Sequence, residues 1–179
     1  IDSKAFYQIV SVNGLALDNQ QSINNNSNIF LAPSNPKSEA QAWMFVKVEA
    51  DTYVIINPLG EKALDNGNQQ KEGTRVIQWS AELGNRNQQW KLTKVGENTY
   101  TFRSLASGLN LGYPDAGPVG EPLYQLQPDA AKDGQRFTLQ KMDIQVNVEL
   151  LKTSSTNDWE NEKIFAVNKE PGRATFVPF

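Results

Sequence analysis

The chain lacks the side chains on which most enzyme active sites depend, because its 179 residues include no cysteine and no histidine. This excludes disulfides, thiolate nucleophiles, histidine bases and the usual zinc ligands. Carboxylates, amides and aromatic rings remain as the groups that could do chemistry. Carboxylates alone could support glycosidase chemistry, which needs two carboxyl groups about 5–5.5 or 6.5–9.5 Å apart. The first question is therefore which carboxylates the fold brings together, and with what neighbours.

One short motif occurs three times at a constant spacing. A glutamine lies two residues before an aromatic residue at Trp43, Trp90 and Phe137, and these positions are 47 residues apart. A second landmark keeps the same register, and it reads Ala16-Leu17-Asp18-Asn19, Ala63-Leu64-Asp65-Asn66 and Asn110-Leu111-Gly112-Tyr113. Two landmarks at equal spacing over three units predict three structural repeats.

Each repeat shows four short runs rich in β-forming residues, with turn residues between them. No segment shows a convincing helical period. A unit of this size cannot bury its apolar face alone, whereas three units around an axis can close a barrel without exposed edges. The sequence therefore predicts an all-β fold, a β-trefoil of three ~47-residue repeats with twelve short strands. A propeller is the less favoured alternative, because propellers usually need at least four blades.

The aromatic residue of each Gln-x-Trp motif is predicted to lie in the core, where the three units meet. Alanine in place of Trp43 or Trp90 would then cost about 3–5 kcal/mol. The motif glutamine can bind the backbone of nearby turns through its amide group. These residues therefore indicate the fold and not a ligand.

The repeats over residues 5–142 resemble the ricin-B lectins, the family of Gln-x-Trp β-trefoils. In that family an aspartate, an aromatic residue and an asparagine beside the motif glutamine form a shallow sugar site in each repeat. The resemblance implies that the middle repeat has such a site, because all of these parts are present there. Its predicted carbohydrate-binding residues are Asp65, Trp79, Asn87 and Gln88.

The other two repeats lack parts of this constellation. The first keeps Asp18, a weaker candidate, but has Ala32 and Ala40 where the aromatic residue and the asparagine belong. The third has Gly112, Leu126 and Gly134 at the three positions. Three further candidates lie nearby but out of register, namely Tyr113, Asp115 and Tyr124. We therefore expect one well-formed site, a weak first repeat and a degenerate third.

A structural interpretation of the same residues stays open. The two aspartates could brace turns, as Asp and Asn often do, and Trp79 could belong to the core. Ala32 and Leu126 at the matching positions favour an exposed platform instead. If Asp65 and Trp79 form a sugar site with an exposed platform, Asp65→Ala and Trp79→Ala would abolish sugar binding with little loss of stability. Trp90→Ala would instead destabilise the domain strongly.

Asp18 and Asp65 occupy equivalent positions of different repeats. Three-fold geometry should hold them much further apart than a glycosidase pair requires. We therefore expect no catalytic residues in this chain, and no cofactor or metal site. The net charge of −3, without a basic run among aromatics, makes nucleic acid a poor partner. No apolar run is long enough to span a membrane.

Beyond residue 142 the repeat pattern ends, and we divide the chain into the trefoil (1–142), a strand and linker (143–157) and a final segment (158–179). Asp158-Trp159-Glu160-Asn161 followed by Asn168-Lys169-Glu170-Pro171 resembles the N-terminal opening of glycoside hydrolase family 2 β-galactosidases. The resemblance implies a truncated β-galactosidase-like domain and a downstream catalytic domain in the parent protein. The segment itself is expected to be mostly extended.

Together these observations predict a non-catalytic carbohydrate-binding module, with a galactose-containing glycan as the partner implied by the two resemblances. By the same analogy the protein is expected in the periplasm or outside the cell. The alternative is a structural spacer or protein-docking trefoil that has lost sugar binding. The incomplete first and third repeats favour the alternative, and the complete middle repeat favours the module.

Overall fold

The computed structural model describes residues 1–114, 116–144, 168–170 and 173–175. Residues 1–144 carry thirteen strands in one antiparallel sheet and three short 3-10 helices. Among the described residues, no helix has the length and apolar character to cross a lipid bilayer. The strands are β1 (Phe6–Ser11), β2 (Leu15–Asp18), β3 (Ser27–Asn28), β4 (Phe30–Pro33), β5 (Trp43–Glu49), β6 (Thr52–Asn57), β7 (Lys62–Asp65), β8 (Ile77–Ser80), β9 (Gln89–Gly96), β10 (Thr99–Ser104), β11 (Asn110–Gly112), β12 (Tyr124–Leu126) and β13 (Phe137–Lys141).

Six of these strands close into a barrel. Strand β1 pairs with β5, β5 with β6, β6 with β9, β9 with β10, β10 with β13, and β13 returns to β1. The return pairing runs from Tyr7 opposite Lys141 to Ser11 opposite Phe137. Closure leaves no free edge in the barrel, which is the usual solution for an all-β chain.

Three hairpins complete the fold, one in each repeat: β2 with β4, β7 with β8, and β11 with β12. Six barrel strands and three hairpins form the predicted β-trefoil. The sheet has thirteen strands where the sequence predicts twelve. The extra strand is β3, which pairs with β8 of the next repeat and not within its own hairpin.

The core lies inside the barrel and under the hairpins, as the repeats predict. Trp43, Trp90 and Phe137 are fully buried. The indole nitrogens of the two tryptophans donate to the carbonyls of Leu17 and Leu64 at 3.1 and 3.0 Å, which ties each barrel strand to its hairpin. The prediction that the Gln-x-Trp aromatics are core residues is confirmed.

Each Gln-x-Trp motif is preceded by a single turn of 3-10 helix that sequence patterning does not indicate. These turns cover Glu39–Gln41, Arg86–Gln88 and Asp133–Gln135. Each turn sets the motif glutamine just before a barrel strand. The glutamine side chain can therefore reach back to the hairpin of its own repeat.

Near the C-terminus, β14 (Asn168–Glu170) pairs antiparallel with β15 (Arg173–Thr175). The predicted linker and the Asp158-Trp159-Glu160-Asn161 segment lie outside the described residues, as does Asp115. Of the predicted strand and linker (143–157), only Asp143 and Ile144 are described, and neither lies in a strand.

Candidate functional site

The floor of the candidate site is Asp65, at the end of β7. Its Oδ1 atom accepts a hydrogen bond from the backbone N–H of Gly67 at 2.7 Å, and its Oδ2 atom accepts from Nε2 of Gln88 at 3.0 Å. The first bond closes an Asx turn, in which a short acidic side chain binds the backbone two residues on. The carboxylate is thus held at both oxygens, and each oxygen keeps a further lone pair.

Gln88 is the residue that fixes this carboxylate. Its side chain is fully buried. Besides Asp65, Nε2 donates to the carbonyl of Ser80 at 2.9 Å, and Oε1 accepts from the backbone N–H of Glu82 at 2.8 Å. The sequence predicts Gln88 among the sugar-contacting residues, whereas the structure places it behind Asp65, with its amide already bound to protein.

Asp65 therefore has a structural role in addition to any contact with a ligand. Its removal would leave the Gly67 N–H and one Gln88 N–H without an acceptor, which costs about 1–3 kcal/mol where such donors are buried. The expectation that Asp65→Ala costs little stability is corrected accordingly.

Trp79 forms the wall of the site on β8, opposite Ala63 of β7. It keeps 42% of its surface exposed, while Trp43 and Trp90 are fully buried. An aromatic ring in a hairpin that faces solvent supplies a flat apolar surface. Such a surface suits the C–H face of a flat ligand ring.

Asn87 lies in the 3-10 turn beside Gln88. Its backbone N–H donates to Oδ1 of Asn85 at 3.0 Å, and its carbonyl accepts from the backbone N–H of Asn66 at 3.0 Å. These bonds fix the backbone and leave the side-chain amide without a protein partner in the described part of the chain. The amide is therefore available to a ligand as both donor and acceptor.

These three side chains line one cavity of about 360 Å³. None of its described lining residues is a lysine or an arginine. Patterning within one repeat does not reveal the additional lining residues, which are Asn26, Gly67, Asn68, Ile77 and Asn85. Asn68 and Asn85 lie close in sequence to predicted residues and could have been suspected, but Asn26 belongs to the first repeat.

The first repeat retains the carboxylate and its brace without the rest of the site. Oδ2 of Asp18 accepts from Nε2 of Gln41 at 2.8 Å, and Oδ1 accepts from the backbone N–H of Gln20 at 2.5 Å. This reproduces the hydrogen bonds of Asp65. Ala32 and Ala40 supply neither an aromatic face nor an amide side chain.

The third repeat has no room for the missing aspartate. A Cβ atom at Gly112 would lie 2.8 Å from both the carbonyl oxygen of Gly134 and a methyl group of Leu126. A cavity of about 450 Å³ lies here, and Gln135 contributes to its lining. The amide oxygen of Gln135 accepts from Nδ2 of Asn110 at 2.9 Å, so this glutamine has a different side-chain partner from those of the other repeats.

The described residues show no cluster of three or more acidic side chains that could hold a metal ion. One cationic side chain, that of Lys62, belongs to the same β7–β8 hairpin as Trp79. Lys62 donates to Oγ of Ser80 at 3.1 Å. Burial lowers the pKa of this lysine below its usual value, although it does not line the cavity.

Comparison with known proteins agrees with this architecture. The family model of the ricin-type beta-trefoil lectin domain matches residues 5–147. No curated protein sequence matches the chain significantly. The family model extends five residues past residue 142, where the repeat pattern of the sequence ends.

Three solved structures illustrate the likeness. A designed three-fold symmetric protein, ThreeFoil, is 26% identical with a TM-score of 0.70, over 78% of this chain and 99% of that one. An exo-beta-1,3-galactanase from Clostridium thermocellum is 27% identical with a TM-score of 0.72, over 79% of this chain and 31% of that one. The C-terminal half of an earthworm R-type lectin, in complex with GalNAc, is 20% identical with a TM-score of 0.59, over 76% of this chain and 98% of that one.

The family model ends at residue 147 and gives no support to the β-galactosidase resemblance of residues 158–179, which stays a prediction. The galactanase is about three times the length that this chain matches. The likeness therefore concerns one domain of that enzyme. From the six-stranded barrel, the three hairpins and the family match over residues 5–147, the chain belongs to the ricin-type beta-trefoil lectin domain family.

Proposed function

We propose that this chain is a non-catalytic carbohydrate-binding module with one working sugar site, in the middle repeat. The observation that carries the proposal is a single cavity lined by Asp65, Trp79 and Asn87. Only the middle repeat has the carboxylate, the exposed aromatic ring and the amide together. The repeat pattern predicts these residues, and the three side chains line one cavity.

In this proposal each side chain meets a different part of the sugar. Asp65 accepts hydrogen bonds from two ring hydroxyls, and charge-assisted bonds of this kind are the stronger ones. The C–H face of the pyranose ring packs against Trp79. Asn87 donates to, or accepts from, a third hydroxyl. Gln88 makes no contact with the sugar and holds the carboxylate in its orientation.

The cavity favours a neutral ligand. Its lining contains one carboxylate and four asparagines, and none of its described members is cationic. An anionic sugar would therefore face a negative charge without a counter-ion. A single shallow site of this kind is expected to bind with a Kd near the millimolar range, around −4 kcal/mol.

We further infer that the natural ligand is a galactose-containing glycan and that the parent protein is a β-galactosidase-type glycoside hydrolase. Two observations support this inference. Residues 158–179 resemble the opening of such an enzyme, and a similar domain occurs in the exo-beta-1,3-galactanase, which is 27% identical over 79% of this chain. A weak module suits that arrangement, since a tether raises its effective concentration at a polymeric substrate. A periplasmic or extracellular location would follow from such a substrate.

A titration of the full chain tests the proposal. Amide NMR shifts are followed with galactose, lactose and β-1,3-galactobiose for the unaltered chain, Asp65→Ala and Asp18→Ala. The two variants lose the same pair of protein hydrogen bonds, so Asp18→Ala controls for stability. We expect shifts around Asp65, Trp79 and Asn87 that disappear in Asp65→Ala and persist in Asp18→Ala.

A spacer or docking domain is the second candidate, because the first and third repeats lack site residues. It predicts a flat titration to tens of millimolar with every sugar. Binding that survives Asp65→Ala and disappears in Asp18→Ala would instead move the site to the first repeat.

A further inference from the structure

The sugar site of the middle repeat is bordered by a side chain from another repeat. Asn26 belongs to the first repeat and lines the cavity with Asp65 and Trp79. Its backbone N–H donates to the carbonyl of Gln78, the residue before Trp79, at 2.9 Å. Strand β3 begins at the next residue and pairs with β8, so Asn26 continues that pairing towards Trp79.

This contact between repeats occurs three times around the fold. Gly73 donates to the carbonyl of Gln125 at 2.8 Å, and Gly120 donates to that of Leu31 at 2.7 Å. The three donors, Asn26, Gly73 and Gly120, are 47 residues apart. The three acceptors, Leu31, Gln78 and Gln125, are also 47 residues apart, and the donor of the third repeat binds the acceptor of the first. Each repeat thus attaches a loop to the second hairpin strand of the next repeat, which is β4, β8 or β12. We call this strand the platform strand, because β8 carries Trp79.

The backbone at this position favours glycine. The φ angles are +65° at Asn26, +80° at Gly73 and +85° at Gly120. A side chain in this left-handed region is disfavoured, although asparagine tolerates it better than most residues. A Cβ atom at Gly73 or Gly120 would meet nothing within 4 Å, so a side chain here projects into open space. Asparagine replaces glycine only at the copy that borders the complete site.

The loop that carries Asn26 is held firmly against the platform strand. Nε2 of the buried Gln78 donates to the carbonyls of Ser22 and Asn24, each at 2.9 Å. Oδ1 of Asn25 accepts from the backbone N–H of Ser80 at 2.9 Å. The side-chain amide of Asn26 has no protein partner among the described residues. The backbone of Asn26 is fixed, and its exposed side chain is available to a ligand.

Asp65 and Asn26 lie on opposite flanks of the platform strand. Strand β8 pairs with β7, which ends at Asp65, on one side and with β3 on the other. Two strand spacings separate these flanks, which is about 10 Å between backbones. A pyranose ring bound at Asp65 and stacked on Trp79 leaves Asn26 for a group further along the ligand.

We propose that Asn26 is a specificity residue that binds the second sugar of a neutral oligosaccharide, so that the site recognises at least a disaccharide. This inference rests on the proposed function, because it extends the same site. The amide of Asn26 would exchange hydrogen bonds with hydroxyls of the second ring. Its removal should therefore weaken disaccharide binding and spare monosaccharide binding.

The test compares the affinities of galactose and β-1,3-galactobiose for Asn26→Gly. Glycine suits this backbone, as Gly73 and Gly120 show, so the variant removes the side chain and keeps the loop. Asn98→Gly is the matched control, because Asn98 also has a positive φ, of +53°, and does not line the cavity. Thermal unfolding of both variants verifies that they fold.

We expect Asn26→Gly to weaken galactobiose binding about three- to tenfold, the value of a net hydrogen bond, and to leave galactose affinity within about twofold. Asn98→Gly should change neither. Equal galactobiose affinities for Asn26→Gly and the unaltered chain, with Asp65→Ala inactive, would overturn this inference alone. A parallel loss of galactose and galactobiose would also overturn it, and no binding by the unaltered chain would remove the proposed function itself.

Discussion

The two tryptophans of the middle repeat offer the sharpest test of the assignment, because one is interpreted as core and the other as platform. Trp90 is fully buried and its indole nitrogen binds the carbonyl of Leu64. Alanine at this position creates a cavity and removes that hydrogen bond. Core Trp→Ala changes cost about 3–5 kcal/mol, and the lost hydrogen bond places this one near the upper end.

Trp79 should behave differently. A buried tryptophan removes about 150–250 Å² from water, and Trp79 keeps 42% of its surface exposed. It therefore buries roughly 90–145 Å², which at about 25 cal/mol per Å² amounts to about 2–3.5 kcal/mol before the share that alanine retains is subtracted. Water fills the space that the ring leaves, so no cavity is added. We expect Trp79→Ala to cost about 2 kcal/mol at most.

Thermal unfolding of the two variants measures this difference. At about 2–4 °C per kcal/mol for a chain of this size, the melting temperatures should drop by about 10–20 °C for Trp90→Ala and by less than about 8 °C for Trp79→Ala. Sugar binding should be lost in the folded Trp79→Ala variant. Equal destabilisation by the two changes would refute the platform assignment. A folded Trp79→Ala variant that still bound sugar at full affinity would refute it too.

Two further changes test how the site is held and how tightly the third repeat is packed. Gln88→Ala should weaken sugar binding although Gln88 does not contact the ligand, because the change frees the Asp65 carboxylate. Gln41→Ala removes the matching brace in the first repeat and serves as the control. It should cost similar stability in denaturant titrations and leave the NMR-measured affinity unchanged. Tyr113→Phe should stabilise the chain by about 1 kcal/mol, because the buried hydroxyl of Tyr113 makes no hydrogen bond of good geometry with the described residues, although Ser11 and the backbone of Val12 lie near it. Burial also raises the pKa of this phenol, so the folded chain keeps a proton that the unfolded chain loses above about pH 10. The stability of the unaltered chain should therefore fall as the pH rises above about 10. Melting curves of Tyr113→Phe should show a smaller fall.

The repeat spacing predicted the fold because it recorded the core. Trp43, Trp90 and Phe137 recur at one position of each unit since all three fill the barrel, and burial restricts that position to large aromatic residues. The strands followed from β-forming residues between turns. The exposed position of Trp79 was also predictable, because alanine and leucine replace it in the other repeats.

The remaining features arise from contacts between repeats, which a pattern within one repeat does not encode. Asn26 reaches the site through backbone pairing with a different unit, and its sequence neighbours give no sign of this. The role of Gln88 depends on where its amide points, which residue type alone does not reveal. The glycine at position 112 records a close approach of the Gly134 carbonyl, which becomes visible only in three dimensions.

The pairing of the first barrel strand with the last has a consequence for biosynthesis. Strand β1 needs β13 as a neighbour, and their paired residues, such as Tyr7 and Lys141, are far apart in the chain. During translation, β1 therefore waits with one edge open until the whole trefoil has left the ribosome. The contacts that close the ring are all long-range, which predicts slow folding. A nascent chain halted within the third repeat would present that open edge to other strands, which favours mispairing and aggregation.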